Sequence, residues 1–361
     1  MATRNYGMDA LRMLSMLMVL ILHILGAGGI LASAQPLSPG YWAAWGMEIA
    51  CYCAVNCFAL ISGYVMSTSR FRSARLLELW LQTVCYTFGM GLLFSVLLPG
   101  SVSSTALLYA LTPVTRTAYW YITAYFGLCL LSPLFQAAVR TIDQPHFRFS
   151  LWAVFVAFSV LPTLFLNDPY RLINGYSTLW LCLLFFAGAY LRKYRLTEQV
   201  PRHWGWLLFL GSIGITFAFK YLSEVFFPHH ATLLAYGNAL IQYTSPTILT
   251  AGMGLFFAMG SQRFPAWACR VIAVLSPATL GVYLIHVSGP FWSHVLTNAF
   301  SSLAQYPPLL LILLVIAAAL VLYLACSLVE LLRIYIFRLF RITALCTRIG
   351  QWVDHRLQLS P

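Results

Sequence analysis

Charged residues are scarce in this chain, and acidic residues are the scarcest. Only 8% of the 361 residues are Asp, Glu, Lys or Arg, and nine acidic residues stand against 21 basic ones. Hydrophobic residues make up 61% of the chain, and the mean hydropathy is +0.80. Because this composition leaves too little polar surface for a soluble globule, it excludes that class and predicts an all-α, polytopic membrane protein.

Several kinds of site are not predicted. The cysteines lie in apolar segments, as in Cys51-x-Cys53-x3-Cys57, without His or carboxylate partners at ligand spacing, so neither a metal site nor a disulfide is expected. The net charge is +12, but the basic residues do not form patches interleaved with aromatic residues, so no nucleic-acid partner is expected. No cleavable signal is predicted, because the first apolar run is long enough to span a membrane.

Runs of about 20 apolar residues, bounded by charge, Pro and Gly, predict about ten transmembrane helices. Most of the 21 basic residues fall in the tails and in the loops on one side, whereas Arg116 and Arg171 lie in the opposite loops. This bias predicts that both termini are cytoplasmic, in a multi-pass protein of the cell (plasma or inner) membrane. The predicted spans are 8–31, 43–68, 76–98, 118–139, 149–166, 177–191, 204–227, 239–259, 271–295 and 309–332.

The predicted organisation is a ten-helix membrane domain, 1–332, followed by a tail, 333–361. The tail interleaves arginines, among them Arg338, Arg341 and Arg348, with apolar residues. This pattern predicts a basic amphipathic helix that lies on the anionic inner leaflet of the lipid bilayer.

The first predicted helix carries Asp9, Arg12 and His23 in an otherwise apolar run, where each has a desolvation cost. Eleven steps of about 100° place His23 on the same face as Arg12, roughly 16 Å further along the axis. At that depth His23 needs a polar cavity. A structural interpretation remains open, in which Arg12 pairs with Asp9 and His23 hydrogen-bonds to a neighbouring helix.

Arg70, Arg72 and Arg75 form a cluster in the first inner loop. Guanidinium groups bind phosphate oxygens through paired donors, so the cluster suits coenzyme A, which carries several phosphates. The alternative is a stop-transfer cluster that only fixes topology.

Other polar and aromatic residues lie in or near the spans. Trp120 and Tyr121, with Tyr119 and Tyr125, mark the outer end of the fourth span and form either an interfacial aromatic belt or a platform for a sugar or lipid acceptor. Lys220 and Glu224 are expected to neutralise each other. A supporting role at the site is predicted for Asp9, Glu48, Ser62, Trp120, Tyr121 and His286.

Five short motifs, in this order along the chain, resemble the acyltransferase type 3 family. They are R-x10-H (Arg12, His23), F-x3-S-G-Y (Phe58, Ser62, Gly63, Tyr64), R-x2-R (Arg72, Arg75), W-Y (Trp120, Tyr121) and Y-L-x-H (Tyr283, Leu284, His286). The resemblance implies ten helices and transfer of an acyl group, usually acetyl, from cytoplasmic acetyl-coenzyme A to a hydroxyl of a sugar, glycan precursor or other small acceptor. It implies a catalytic role for His23, a supporting role for Arg12 and donor binding for Arg72 and Arg75.

The chemistry expected of such an enzyme needs a base for the acceptor hydroxyl and a hydrogen-bond donor for the developing oxyanion. His23 suits the base, and an acyl-histidine intermediate is equally open. Acyl-coenzyme A enters as a substrate, so no permanently bound cofactor is expected. The competing class is a transporter or flippase that uses the buried Arg, His and Glu groups as a substrate or proton path.

Overall fold

The computed structural model of the chain describes residues 4–357. The first three residues of the predicted membrane domain and the last four of the predicted tail lie outside this range. The fold is all-α: 79% of the structure is helical, and no strand occurs within the described residues. This confirms the predicted fold class.

Nineteen α-helices follow one another between residues 4 and 357. The first ten are α1 Tyr6–Leu25, α2 Ile30–Ser33, α3 Pro39–Cys51, α4 Ala54–Met66, α5 Ser73–Leu97, α6 Ser104–Tyr109, α7 Trp120–Thr141, α8 Gln144–Phe155, α9 Leu161–Phe165 and α10 Thr178–Lys193. The remaining nine are α11 Leu196–Gln199, α12 Arg202–Phe226, α13 Ala231–Ala239, α14 Pro246–Gly260, α15 Ala266–Leu275, α16 Thr279–His286, α17 Gly289–Phe291, α18 Pro308–Leu339 and α19 Ile342–Arg356.

Eight helical segments of the described chain are long and apolar enough to cross a membrane. Two other predicted spans coincide with shorter helices, α10 with 16 residues and α14 with 15. The count of ten and the cytoplasmic position of the termini therefore stay predictions. The eight segments are Tyr6–Ser33, Pro39–Met66, Ser73–Leu97, Trp120–Thr141, Gln144–Phe165, Arg202–Phe226, Ala266–His286 and Pro308–Leu339.

Helix α1 lies at the centre of the bundle, where it contacts α3, α4, α14, α15, α16 and α18. It begins where the Asn5 side chain accepts a hydrogen bond from the Met8 amide, and it ends before Gly26. Leu11, Ile24 and Leu25 are fully buried. A helix surrounded by other helices can hold polar side chains that lipid would exclude, because they face protein cavities instead.

Helices α4 and α10 approach each other closely because each presents a glycine at their contact. A Cβ on Gly63 would clash with the Phe185 carbonyl, and one on Gly188 would clash with the Leu60 carbonyl. Such small-residue contacts let membrane helices pack backbone to backbone. The contact fixes the position of α4, the helix that carries Ser62.

The C-terminal segment packs against the helical bundle. Helix α18 continues to Leu339, past the boundary predicted at residue 332, and α19 then packs against α5. The Asp354 carboxylate accepts a hydrogen bond from the Ser73 amide at 3.1 Å, and Gly350 meets the backbone of Ala74. One face of α19 thus docks on protein, while Leu345, Ile349 and Trp352 stay exposed. The predicted position of the tail on the inner leaflet stays a prediction.

Candidate active site

A cavity of about 340 Å³ lies between α1, α4, α7 and α16, and is named the central cavity. Arg12 and His23 both line it, as their common helix face predicts. His23 is half-buried in the last turn of α1, so part of its ring faces the cavity. The sequence-predicted residues in its wall are Arg12, His23, Ser62, Trp120 and Tyr121.

Behind His23 lies His286, which is fully buried at the end of α16. The His23 Nδ1 and the His286 Nε2 are 3.0 Å apart, and the His286 Nδ1 is 2.6 Å from the Val282 carbonyl oxygen. The two rings join helices whose histidines are 263 residues apart in sequence. His286 is therefore the hydrogen-bond partner of His23 on a neighbouring helix.

The two hydrogen bonds determine which nitrogens carry protons. A carbonyl oxygen only accepts, so the Nδ1–H of His286 donates to Val282. With both rings neutral, the His286 Nε2 is then an acceptor and the Nδ1–H of His23 donates to it. The Nε2 of His23 then carries a free lone pair, and it has no hydrogen-bond partner among the described residues.

Tyr283 combines a place in the cavity wall with a buried hydroxyl. Tyr283 lines the central cavity one helical turn before His286, and its hydroxyl has no hydrogen-bond partner within residues 4–357. An unpaired buried hydroxyl is costly unless a ligand satisfies it. The sequence motif contained Tyr283, but nothing in the pattern alone indicated an unpaired donor.

At the other end of the central cavity, Arg12 is held in place by Asp9. The Arg12 Nη1 is 2.7 Å from one Asp9 oxygen, while the Arg4 Nε is 2.6 Å from the other. The pair predicted by the structural interpretation is therefore present, and Arg12 lines the cavity as well. Asp9 is not in the cavity wall.

Aromatic rings form much of the remaining wall. Trp120, Tyr121 and Tyr125 line the central cavity, and the rings of Tyr121 and Tyr125 stack with an interplanar angle of 9°. These three rings therefore face a cavity inside the bundle, and their role as a platform for an acceptor stays a prediction. Tyr119 instead is buried and donates to the Leu284 carbonyl at 2.8 Å.

Asn56 supports the aromatic wall and was missed in the sequence. It is fully buried, donates to the Tyr243 carbonyl at 2.8 Å and accepts from the Trp180 indole at 3.0 Å. These bonds fix Tyr243, which lines the central cavity and stacks with Trp120. An uncharged residue in an apolar run gives little signal for such a role.

The predicted arginine cluster lines two further cavities. Arg70, Arg72 and Arg75 line the arginine cavity, of about 270 Å³, while Arg70, Arg72 and Arg140 line the tail cavity, of about 620 Å³. None of these arginines forms an ion pair with a carboxylate in the described part of the chain. Their guanidinium groups are available to an anionic ligand.

The three cavities lie in series. The tail and arginine cavities share the wall residues Arg70, Phe71, Arg72 and Gln136. The arginine and central cavities share Met66, Tyr125 and Leu280. The three cavities therefore adjoin one another between the arginines and His23.

Other predicted residues lie elsewhere. Glu48 is not in the wall of the central cavity, and one of its oxygens is buried without a hydrogen-bond partner within residues 4–357. Lys220 and Glu224 form the predicted pair, with 2.5 Å between Nζ and Oε1. Within the described residues no group of three His, Cys, Asp or Glu is placed to hold a metal ion, and the nine cysteines are free.

A family model described as an acyltransferase domain matches residues 5–328, so the chain belongs to this family, the acyltransferase type 3 family. No curated protein and no solved structure matches the chain. The protein is thus a multi-pass membrane acyltransferase. Nothing in the match supports the transporter alternative.

Proposed function

We propose that this acyltransferase moves an acetyl or other small acyl group from cytoplasmic acyl-coenzyme A to a hydroxyl of a sugar, glycan precursor or other small acceptor, in the cell (plasma or inner) membrane. The observation that carries the proposal is the series of adjoining cavities between arginines that form no ion pair and the free nitrogen of His23. Coenzyme A has the matching shape, with anionic phosphates at one end and the thioester at the other.

His23 supplies the base in this mechanism. Its Nε2 takes the proton of the acceptor hydroxyl while that oxygen attacks the thioester carbonyl carbon. The imidazolium that forms is stabilised by the hydrogen bond to His286, whose own Nδ1–H is bound by Val282. The carbon–sulfur bond then breaks, and the leaving sulfur takes the proton back from His23, which releases the free thiol.

Tyr283 supplies the donor that the tetrahedral intermediate needs. Tyr283 lies in the same cavity wall as His23, and its buried hydroxyl has no partner within residues 4–357, so a negative carbonyl oxygen that comes within reach would satisfy it. The free Nε2 of His23 is also suited to attack the thioester directly and form an acyl-histidine. Both routes use the same ring nitrogen, and they differ in whether acyl transfer to protein precedes transfer to the acceptor.

The wall formed by Trp120 and Tyr243 supports a sugar-like acceptor. Flat aromatic rings present apolar faces to the C–H groups of a sugar ring, while Tyr hydroxyls can bond its hydroxyls. The acceptor then meets the acyl group beside His23, at the end of the central cavity remote from the arginines.

The experiment is a donor assay with purified protein and acetyl-coenzyme A that carries a radioactive acetyl group. Thiol release, label on the protein or label on added sugars is the expected result. Label on the protein in the absence of acceptor would identify the acyl-histidine route. If the protein turns over a thioester that lacks phosphates but does not turn over acyl-coenzyme A, the proposal that coenzyme A is the donor is wrong.

A further inference from the structure

The tail cavity is larger than its neighbours and is partly built by the C-terminal helix. Thr347, Gln351 and Asp354 of α19 form one wall, and Arg70, Arg72 and Arg140 lie among the residues of the others. Arg140, at the end of α7, had only a topological place in the sequence. The cavity thus combines three cationic groups with one carboxylate and uncharged polar side chains.

Helix α19 is fixed in this position by specific contacts. The Asp354 carboxylate is mostly buried and accepts from the Ser73 amide, directly after Arg72. A Cβ on Gly350 would clash with Ala74, so the two helices touch at this point. Because Asp354 faces the amino end of α5, its charge is satisfied by the helix terminus.

We propose that α19 is a wall of the donor site, and that Arg140, Thr347 and Gln351 bind the nucleotide end of the acyl-coenzyme A donor. The inference rests on the proposed function and extends it to Arg140 and to residues of α19, a helix that lies beyond residue 328, where the family match ends. Phosphates pair with the guanidinium groups, and the hydroxyl and amide of α19 match the hydrogen-bonding groups of a base and ribose. The acyl arm then extends through the arginine cavity.

The test compares two donors, acetyl-coenzyme A and S-acetylpantetheine, which lacks the nucleotide. For Gln351→Ala and Arg140→Ala we expect KM for acetyl-coenzyme A to rise about tenfold, since each change removes hydrogen bonds to the donor. KM for S-acetylpantetheine should not change, because that donor does not reach the tail cavity. Arg348→Ala is the matched control: this exposed residue of α19 does not line the cavity, and KM should stay normal for both donors.

The outcomes separate the two proposals. If the wild-type protein uses neither thioester, the proposed function fails. If it uses both, but the variants change KM for both donors equally or for neither, the nucleotide site on α19 is wrong and the proposed function stands. A variant effect that appears only when phosphatidylglycerol is added to the detergent micelles would assign the tail cavity to a lipid headgroup and overturn the inference.

Discussion

Two sets of polar side chains lie inside the helical bundle, and they differ in whether the protein satisfies them. Around α12, Lys220 is 3% exposed, pairs with Glu224 and lies 3.7 Å from the centre of the Trp45 ring, while Glu224 also accepts from Tyr41. Around the cavities, the His23 Nε2 and the Tyr283 hydroxyl have no partner among residues 4–357.

The difference separates structural polar groups from groups that await a ligand. A closed network recovers the desolvation cost within the protein, so its role is complete without another molecule. An open group in a cavity wall recovers that cost only when something binds. Substitutions in the two regions should therefore act on different quantities, stability in the first and turnover in the second.

The largest effect is expected for His23→Ala. Removing the ring that accepts the hydroxyl proton should lower transfer by about 10²–10⁴-fold in the folded protein, with donor binding close to wild type. The variant also loses the hydrogen bond to the buried His286, so a stability loss of about 1–3 kcal/mol is expected as well. Rates of labelled acetyl transfer and a melting curve measure both. If His23 were only structural, activity would fall only in proportion to the fraction of protein that is unfolded. His294→Ala is the control, since His294 does not line the central cavity.

Tyr283→Phe removes the unpaired hydroxyl and keeps the ring. Loss of one oxyanion donor should lower kcat by about 10²-fold, with KM for the donor little changed. Steady-state kinetics at saturating donor are the measurement. Tyr323→Phe is matched, because Tyr323 is also buried with an unpaired hydroxyl but is not in the wall of the central cavity. Equal effects in both variants would remove Tyr283 from the mechanism.

His286 is a positioning residue, so its substitutions should be graded. His286→Leu removes the acceptor for the Nδ1–H of His23 and should lower kcat roughly tenfold or more, since the ring of His23 loses its preferred tautomer and orientation. His286→Gln keeps an acceptor oxygen and should recover part of the loss, with KM unchanged in both. If the two variants melt alike and are equally inactive, the hydrogen bond is not what matters.

Substitutions in the arginine cavity should weaken binding of the donor. Replacing Arg72 and Arg75 together by Ala should raise KM for acetyl-coenzyme A several-fold, and the effect should shrink at high salt, because the lost attraction is between exposed charges. Arg338→Ala is the control, since Arg338 is an arginine of the same predicted side that does not line the arginine cavity. Unchanged affinity in a folded double variant would return the cluster to a topological role.

Features that depend on local geometry could be predicted from the sequence. Helical periodicity relates Arg12 to His23 whatever surrounds them, so their common face was predictable. The i, i+4 spacing likewise predicted the pair of Lys220 and Glu224. Glu330 was missed, although Arg333 at i+3 was a local signal: it is fully buried and bonded by Arg333, Tyr86 and Gln82.

Features that depend on the packing of helices distant in sequence could not be predicted from the sequence. The contact of His23 with His286 requires α1 to lie beside α16, and no local pattern specifies that neighbour. The same holds for the direction of Trp120 and Tyr121, because aromatic residues at a span end fit either a lipid interface or a cavity. Docking of α19 on α5 is decided by a glycine contact and one carboxylate.

The smallest effect on activity is expected in the closed network. Lys220→Met alone leaves Glu224 without its cation, and removal of one partner of a buried pair costs about 3–5 kcal/mol of stability. The double substitution Lys220→Met with Glu224→Gln removes both charges and should recover most of that loss. In both proteins kcat and donor KM should stay near wild type at temperatures where they are folded. A fall in kcat in a fully folded double variant would show that this network reaches the chemistry after all.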